Sequence, residues 1–243
     1  MIETYVFFKV KNDFIIENSS EKLHGLFFKI LKNTKIDTEK LHSQKNKPFS
    51  ISPVYEYGYD KSITKFSKNK YFFFRIASIQ DNLIFSFVKA LTLNSTELFL
   101  DKYPIYIDEV ITETYQNKDI QNEITINFVS PVTFRGPNNI NIPIPDPLHI
   151  INFLKKYGIN DVDYPKITYI EGKSHVMKYS SFKLIGFVGK MRIKTHTPKS
   201  YLILHYLGTG YSHAKGMGVT IIDSATTTNQ KIKYIWKRWG INA

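Results

Sequence analysis

Along the first 114 residues the hydrophobic pattern switches between the period of a strand and that of a helix in a fixed order. Met1 to about Val10 is rich in β-branched and aromatic types and reads as a strand. Asn18 then precedes Glu21 at capping-box spacing, and Leu23, Leu26, Phe27, Ile30 and Leu31 follow at helical spacing. A short helical piece ends near Leu41-His42, and Phe49-Ser50-Ile51-Ser52 is a short strand stopped by Pro53. Tyr71 to Ile79 is strongly β-forming. Asp81 caps a second helix with the stripe Leu83, Ile84, Phe87, Val88 and Leu91, and a β region runs from about Glu97 to Thr114. The order β-α-β-β-α-β specifies two helices on one face of an antiparallel sheet, the ferredoxin-like (RRM-like) arrangement.

Tyr115 to Glu123 is polar and reads as a linker, after which the pattern recurs less clearly. Ile124 to Val129 is a strand. Asp146-Pro147 is a cap with proline at the first helical position, Ile150, Ile151 and Leu154 form the buried stripe, and Gly158 suits the C-terminal end. Phe182 to Lys194 is a long β region. Thr197-Pro198 opens a helix with Leu202, Ile203, Tyr206 and Leu207 facing inward, and a strand runs from Val219 to Ile222. The expected class is α+β: two tandem ferredoxin-like domains with antiparallel sheets, over 1–116 and 117–243, with no repeat visible in the sequence itself.

The formal net charge is +12, from 33 Lys and Arg against 21 Asp and Glu, which favours a polyanionic partner. A Lys-rich compositional bias is the alternative. The 18 Phe and 16 Tyr serve either small cores or stacking on unpaired bases. Cysteine is absent, which excludes disulfides, thiolate metal sites and cysteine nucleophiles. The N-terminus lacks the basic and apolar regions of a signal peptide, and no apolar run is long enough to span a bilayer, so a cytoplasmic location and no membrane partner are expected.

The sharpest local feature is Gly208-Thr-Gly210-Tyr-Ser-His-Ala-Lys215-Gly216-Met-Gly218, between an expected helix and an expected strand. Its glycines permit positive φ and close backbone approach, its main-chain N–H groups could face phosphate, and His213 and Lys215 could add charge. It is not a Walker loop, since the Gly-Lys-Ser/Thr ending is missing. A plain flexible turn is the other reading.

Leu207-Gly208 to Gly218-Val219, followed by Ile221-Ile222, resembles the C-terminal glycine-rich loop of the repeat-RNA-processing endoribonucleases of CRISPR systems, the sixth Cas family within the RAMP superfamily. Three further stretches agree in order. Leu41-His42 with Lys47-Pro48-Phe49-Ser50-Ile51-Ser52-Pro53 is similar to the family's Leu-His, Lys, Phe, Ser segment. Phe128 to Phe134 resembles the start of its second domain, and Leu184 to Gly189 its late β hairpin. The resemblance implies binding of CRISPR repeat RNA and metal-independent cleavage without a cofactor. The RNA's own 2′-hydroxyl attacks, leaving a 2′,3′-cyclic phosphate and a 5′-hydroxyl. It also implies other subunits of a CRISPR effector complex as further candidate partners, and a monomer or homodimer.

Such chemistry needs a base for the 2′-hydroxyl, an acid for the 5′ oxygen and a cation for the phosphorane. Histidine suits the first two roles. His42 matches the family's catalytic histidine; a surface histidine at a helix end is the alternative. Lys47 is the candidate for charge stabilisation, with Lys45 as competitor. Many members carry a tyrosine on the first helix, where this chain has His24-Gly25-Leu26-Phe27-Phe28, so His24 becomes the candidate partner of His42. Lys190, Arg192 and Lys194 alternate and would share one strand face, tracking phosphates or simply facing solvent. In the tail Lys231 to Trp239, the two tryptophans either stack on bases or cover the second domain's sheet in an apolar-alternating segment. A non-catalytic RAMP-type RNA-binding subunit of a CRISPR effector complex is the rival reading of the whole chain.

Overall fold

The first strand, β1 (Ile2–Val10), is buried along almost its whole length because both of its faces are covered. The computed structural model describes residues 1–93, 97–114 and 120–241. The expected boundary at 116/117 and part of the expected linker lie outside the described residues. After β1 come α1 (Ser19–Leu31), α2 (Thr38–Ser43), β2 (Phe49–Ile51), β3 (Phe72–Ser78), α3 (Asp81–Leu93), β4 (Leu98–Leu100) and β5 (Tyr103–Thr114). The sheet order is β2-β3-β1-β5-β4, all neighbours antiparallel, with the short Tyr55–Glu56 strand also on β3. On one face Val6, Phe8, Phe74 and Ile76 meet Leu23, Phe27 and Leu31 of α1 and Leu83, Ile84 and Phe87 of α3.

The second half contains β6 (Glu123–Val132), α4 (Pro147–Lys155), β7 (Lys166–Lys178), β8 (Lys183–Lys194), α5 (Pro198–Leu207), β9 (Thr220–Ile222) and α6 (Gln230–Arg238). Its sheet order is β7-β8-β6-β9. Numbered within its half, the second sheet has the order 2-3-1-4, and the first has the same order with β5 as its fourth strand and the short β4 added outside it, so the chain is two ferredoxin-like units in tandem. Ile124, Ile126, Met191 and Ile193 line a second core under α4 and α5. The expected caps are made: the Asn18 side chain accepts from the Ser20 and Glu21 amides, and that of Asp146 from Leu148 and His149. Asn18 and Glu21 do not close a reciprocal box, because the Glu21 carboxylate instead accepts from Ser180 of the second half.

Two elements differ from expectation. Strand β7 was not anticipated; it is an edge strand with no buried face, so its sequence carries no alternation. The basic aromatic tail is helix α6, and it packs on the first sheet as well as the second, whose Ile221 and Val129 share its cluster. Ile232, Ile235 and Trp236 pack on Tyr5, Phe7, Tyr55 and Phe73, and the Trp236 indole N–H donates to the Tyr5 hydroxyl at 2.8 Å. Trp239 lies edge-on to Tyr55. The tryptophans are therefore packing residues.

The halves are joined through buried charge. Arg75, Glu3 and His205 are 1%, 3% and 2% exposed. Arg75 on β3 donates from Nε to Glu3 Oε2 of β1 at 2.5 Å and from Nη2 to the His205 carbonyl of α5 at 2.7 Å. His205 Nε2 lies 2.9 Å from the same Glu3 oxygen, and its Nδ1 faces the Ile222 amide. Burial would raise the Glu3 carboxyl, but Arg75 and then His205 outweigh it and hold it at about 2. Arg75→Met strands that carboxylate in the interior and should cost about 3–5 kcal/mol. The Arg75→Met/Glu3→Leu double variant should recover much of the loss, and urea denaturation of both proteins measures the difference.

Candidate active site

Helix α1 carries His24 six residues beyond its Asn18 cap, at the border of the apolar stripe. His24 is 8% exposed, and its Nδ1 lies 2.9 Å from the Ala214 carbonyl of the glycine-rich loop. A carbonyl only accepts, so Nδ1 carries the hydrogen and Nε2 keeps its lone pair. Burial lowers the His24 pKa to about 4, with Lys215, His42 and Lys47 pushing the same way against the Ala214 bond. Helix α2, capped by Asp37 and anchored by buried Leu41, presents His42 to solvent. The two imidazoles are 5.8 Å apart between ring centres, and Phe28 lies edge-on to both, at 4.9 Å from His24 and 5.0 Å from His42. The expected pair is thus brought together.

Lys47 folds back over the end of α2, donating to the carbonyls of His42 at 2.5 Å and Gln44 at 2.6 Å. An ammonium has three hydrogens, so one is left for an incoming oxygen. Burial and then nearby Lys215 lower the Lys47 pKa. His24, His42, Lys47 and Lys215 therefore form one electrostatic cluster drawn from both halves of the chain. Lys45 is exposed on the same connection.

The glycine loop holds this cluster without lying open to solvent. Gly208, Gly210, Gly216 and Gly218 all have positive φ and are buried. A Cβ on Gly216 would sit 2.1 Å from Ser20 Oγ, and one on Gly218 1.8 Å from the Thr209 carbonyl oxygen. The amides of Thr209, Tyr211, Gly218 and Val219 are bonded within the protein, to Gly218, Thr133, Pro131 and Ser130. Those four amides are not free for phosphate; the loop is a wedge between the halves, and Lys215 is its exposed cation. The expectation for His213 is corrected. It is buried, with Nδ1 2.9 Å from the Phe49 carbonyl and Nε2 2.9 Å from the Tyr157 hydroxyl. Burial lowers its pKa to about 4, so it brings no charge at neutral pH.

Lys190, Arg192 and Lys194 do share the outer face of β8, while Met191 and Ile193 point into the core. Lys190 pairs with Glu171 at 3.3 Å, and Lys190 and Arg192 flank the Tyr169 ring. Lys190 lines a cleft with Asn127, Gly172, Arg238 and Trp239, separate from the cleft that His42 lines with Gly25 and Phe28. Sequence reasoning missed three contributors: the Ala214 carbonyl, the Phe28 ring, and Tyr157, whose hydroxyl reaches both His213 and the Lys47 carbonyl. The first is a main-chain group and leaves no trace in residue type. Among the described residues no three His, Cys, Asp or Glu side chains are grouped as metal ligands, and no helix is long and apolar enough to cross a membrane.

Among solved structures, the chain is similar to a Cas6 product complex from Thermus thermophilus, with a TM-score of 0.74, 17% identity, and coverage of 91% of this chain and 99% of that one. The fold is the Cas6 fold. A Cas6-related protein from Pyrococcus furiosus has a TM-score of 0.71 at 13% identity, covering 91% and 98%. A RAMP protein described as binding different RNA substrates has a TM-score of 0.65 at 14% identity, covering 91% and 99%. No protein-family model and no curated protein matches the sequence. The Cas6 and RAMP structures thus share the paired ferredoxin-like architecture at low identity.

The buried imidazoles make stability sensitive to mild acid. His24 and His213 fall from 6.5 to about 4 on folding, and His205 is also lowered, mainly by burial. Between those values the unfolded chain binds protons that the folded chain does not, so stability is full above 6.5 and falls as the pH drops toward 4. Glu3 adds a further loss as the pH drops from 4.5 toward 2. Urea denaturation at pH 7.5 and pH 5 should show a clear loss at pH 5, reduced in His213→Gln. Equal stability at the two values would contradict the burial assignment.

Proposed function

We propose that this chain is a Cas6-type endoribonuclease that binds CRISPR repeat RNA and cuts it without a metal ion. The observation that carries the reading is the His24–His42 pair, 5.8 Å between ring centres, with Lys47 and Lys215 acting on it, in a fold shared with Cas6 proteins. His24 Nε2 takes the proton of a 2′-hydroxyl, whose oxygen attacks the adjacent phosphorus. The bond from phosphorus to the 5′ oxygen breaks, and His42 gives that oxygen its proton. The products are a 2′,3′-cyclic phosphate and a 5′-hydroxyl. Lys47 and Lys215 balance the charge of the phosphorane.

The assignment of base and acid rests on the tautomer. With Nδ1–H given to Ala214 and a pKa of about 4, His24 is neutral near pH 7 and has a lone pair to offer. His42 stands exposed to solvent on the other side of the pair. Lys190, Arg192 and Lys194 on β8 track the RNA backbone away from the cut.

Purified protein with repeat RNA from the source genome, in EDTA, should cut at one site. A single 2′-deoxy substitution at that site should abolish cleavage, and His42→Ala should lower it at least 100-fold while leaving the Kd for RNA within about threefold. Suppression by EDTA would remove metal independence. Tight binding with no cleavage would make the chain a non-catalytic RNA-binding subunit, with Phe28 in place of the family's tyrosine as the cause. The direction of proton transfer has its own test. Because His24 stays neutral down to about 4, kcat/KM should hold level or rise as the pH falls from 7 to 5. An acid limb above pH 6 would reverse the two roles.

A further inference from the structure

Eleven of the twelve glycines have a reason internal to the fold. Each either has a positive φ or would drive a Cβ to 2.8 Å or less from a neighbouring atom. Gly25 has neither: it is in the middle of α1, and a Cβ there meets nothing within 4 Å. A mid-helix glycine destabilises a helix relative to alanine, so the fold gains nothing from it. Gly25 is also exposed and directly follows His24.

Its place in the molecule supplies the missing reason. Gly25 lines an open cleft of about 470 Å³ together with Phe28, Lys29, Lys32, Thr38, Glu39, His42 and Ser43. The floor is the bare α1 backbone and the Phe28 ring, the far wall is His42, and Lys29 and Lys32 rim the α1 side. A flat, closely approachable surface bordered by two lysine side chains, of which Lys29 sets its ammonium over the Phe99 ring, suits a nucleobase with a flanking phosphate. Glu39, the carboxylate in the lining, suits the N–H edge of a base and repels phosphate.

We infer that this cleft is the subsite for the base of a nucleotide next to the scissile phosphate, and that Gly25 is kept free of a side chain so that this base can lie against α1. The inference rests on the proposed nuclease reading. Gly25 is a positioning residue: it sets where the sugar of that nucleotide stands relative to His24 and His42. Displacement by about 1 Å is enough to cost orders of magnitude in rate.

Gly25→Ala tests it, because stability and activity should move in opposite directions. The Tm should rise by about 1–4 °C, since alanine favours the helix. Cleavage of repeat RNA should fall at least tenfold in kcat/KM, and Gly25→Leu should fall at least 100-fold. Repeat RNAs abasic at either nucleotide flanking the cut complete the test. One of them should be cut equally by wild type and Gly25→Ala, because the base that meets the methyl group is gone. Kinetics and Kd of Gly25→Ala within twofold of wild type would overturn the inference while leaving the nuclease reading intact. A lower Tm would also overturn it, by showing that the fold itself needs the glycine. If wild type neither binds nor cuts the repeat, the nuclease reading fails and the subsite with it.

Discussion

The guanidinium of Arg75 is a full charge buried in the middle of β3, and the rest of the molecule is arranged to satisfy it. Glu3 from the neighbouring strand supplies the opposite charge, but the second nitrogen needs the His205 carbonyl, which belongs to the other ferredoxin-like unit. Either half alone would leave that group short of a partner. A buried ion pair is weak evidence for net stability, because desolvation offsets much of the Coulomb gain. What it specifies here is registry: α5 can dock on the first sheet at one position. Gly208 ends α5 three residues after His205, so the start of the glycine loop is placed by the same contacts.

From there the geometry is carried by backbone. The loop fits between α1 and β2 only without side chains at its glycines, and His213 pins it by pointing inward to the Phe49 carbonyl. Fixed in this way, the loop delivers the Ala214 carbonyl to His24 and so decides which of its ring nitrogens carries the hydrogen. The run from Arg75 through His205, Gly208 and Ala214 to His24 connects a docking interaction to the chemistry of a single lone pair. Each link is a contact between the two halves or a short covalent path.

Much of the fold was legible because caps and stripes are local signals: Asn18, Asp146 and Thr197-Pro198 mark helix starts that the structure keeps. The elements missed lack such signals or carry ambiguous ones. β7 has no buried face from which alternation could arise. The tail was read with period two, although Ile232, Ile235 and Trp236 stand at i, i+3 and i+4, the spacing of one helix face. At the site, sequence could name His24 and His42 but could not separate them from His213. All three are histidines next to apolar residues, and only burial and partner geometry distinguish a packed ring from an available one. The resemblance to a family supplied the ranking, and the contacts explain why His24 keeps a free nitrogen where His213 does not.

The cations of the cluster act on one another as well as on His24. Lys215 lowers the Lys47 pKa, and Lys215, His42 and Lys47 all act to lower that of His24. Cationic groups crowded in this way raise the free energy of the empty site, and an arriving phosphate relieves that repulsion. By linkage, a group whose protonation is opposed by neighbouring cations becomes more basic when an anion screens them, to the same extent that protonation tightens anion binding. An imidazole with a pKa of about 4 is a poor base on its own. Burial, the largest cause of the low His24 pKa, keeps the ring neutral in the free protein, and the three cations add to it, while the Ala214 carbonyl fixes its tautomer.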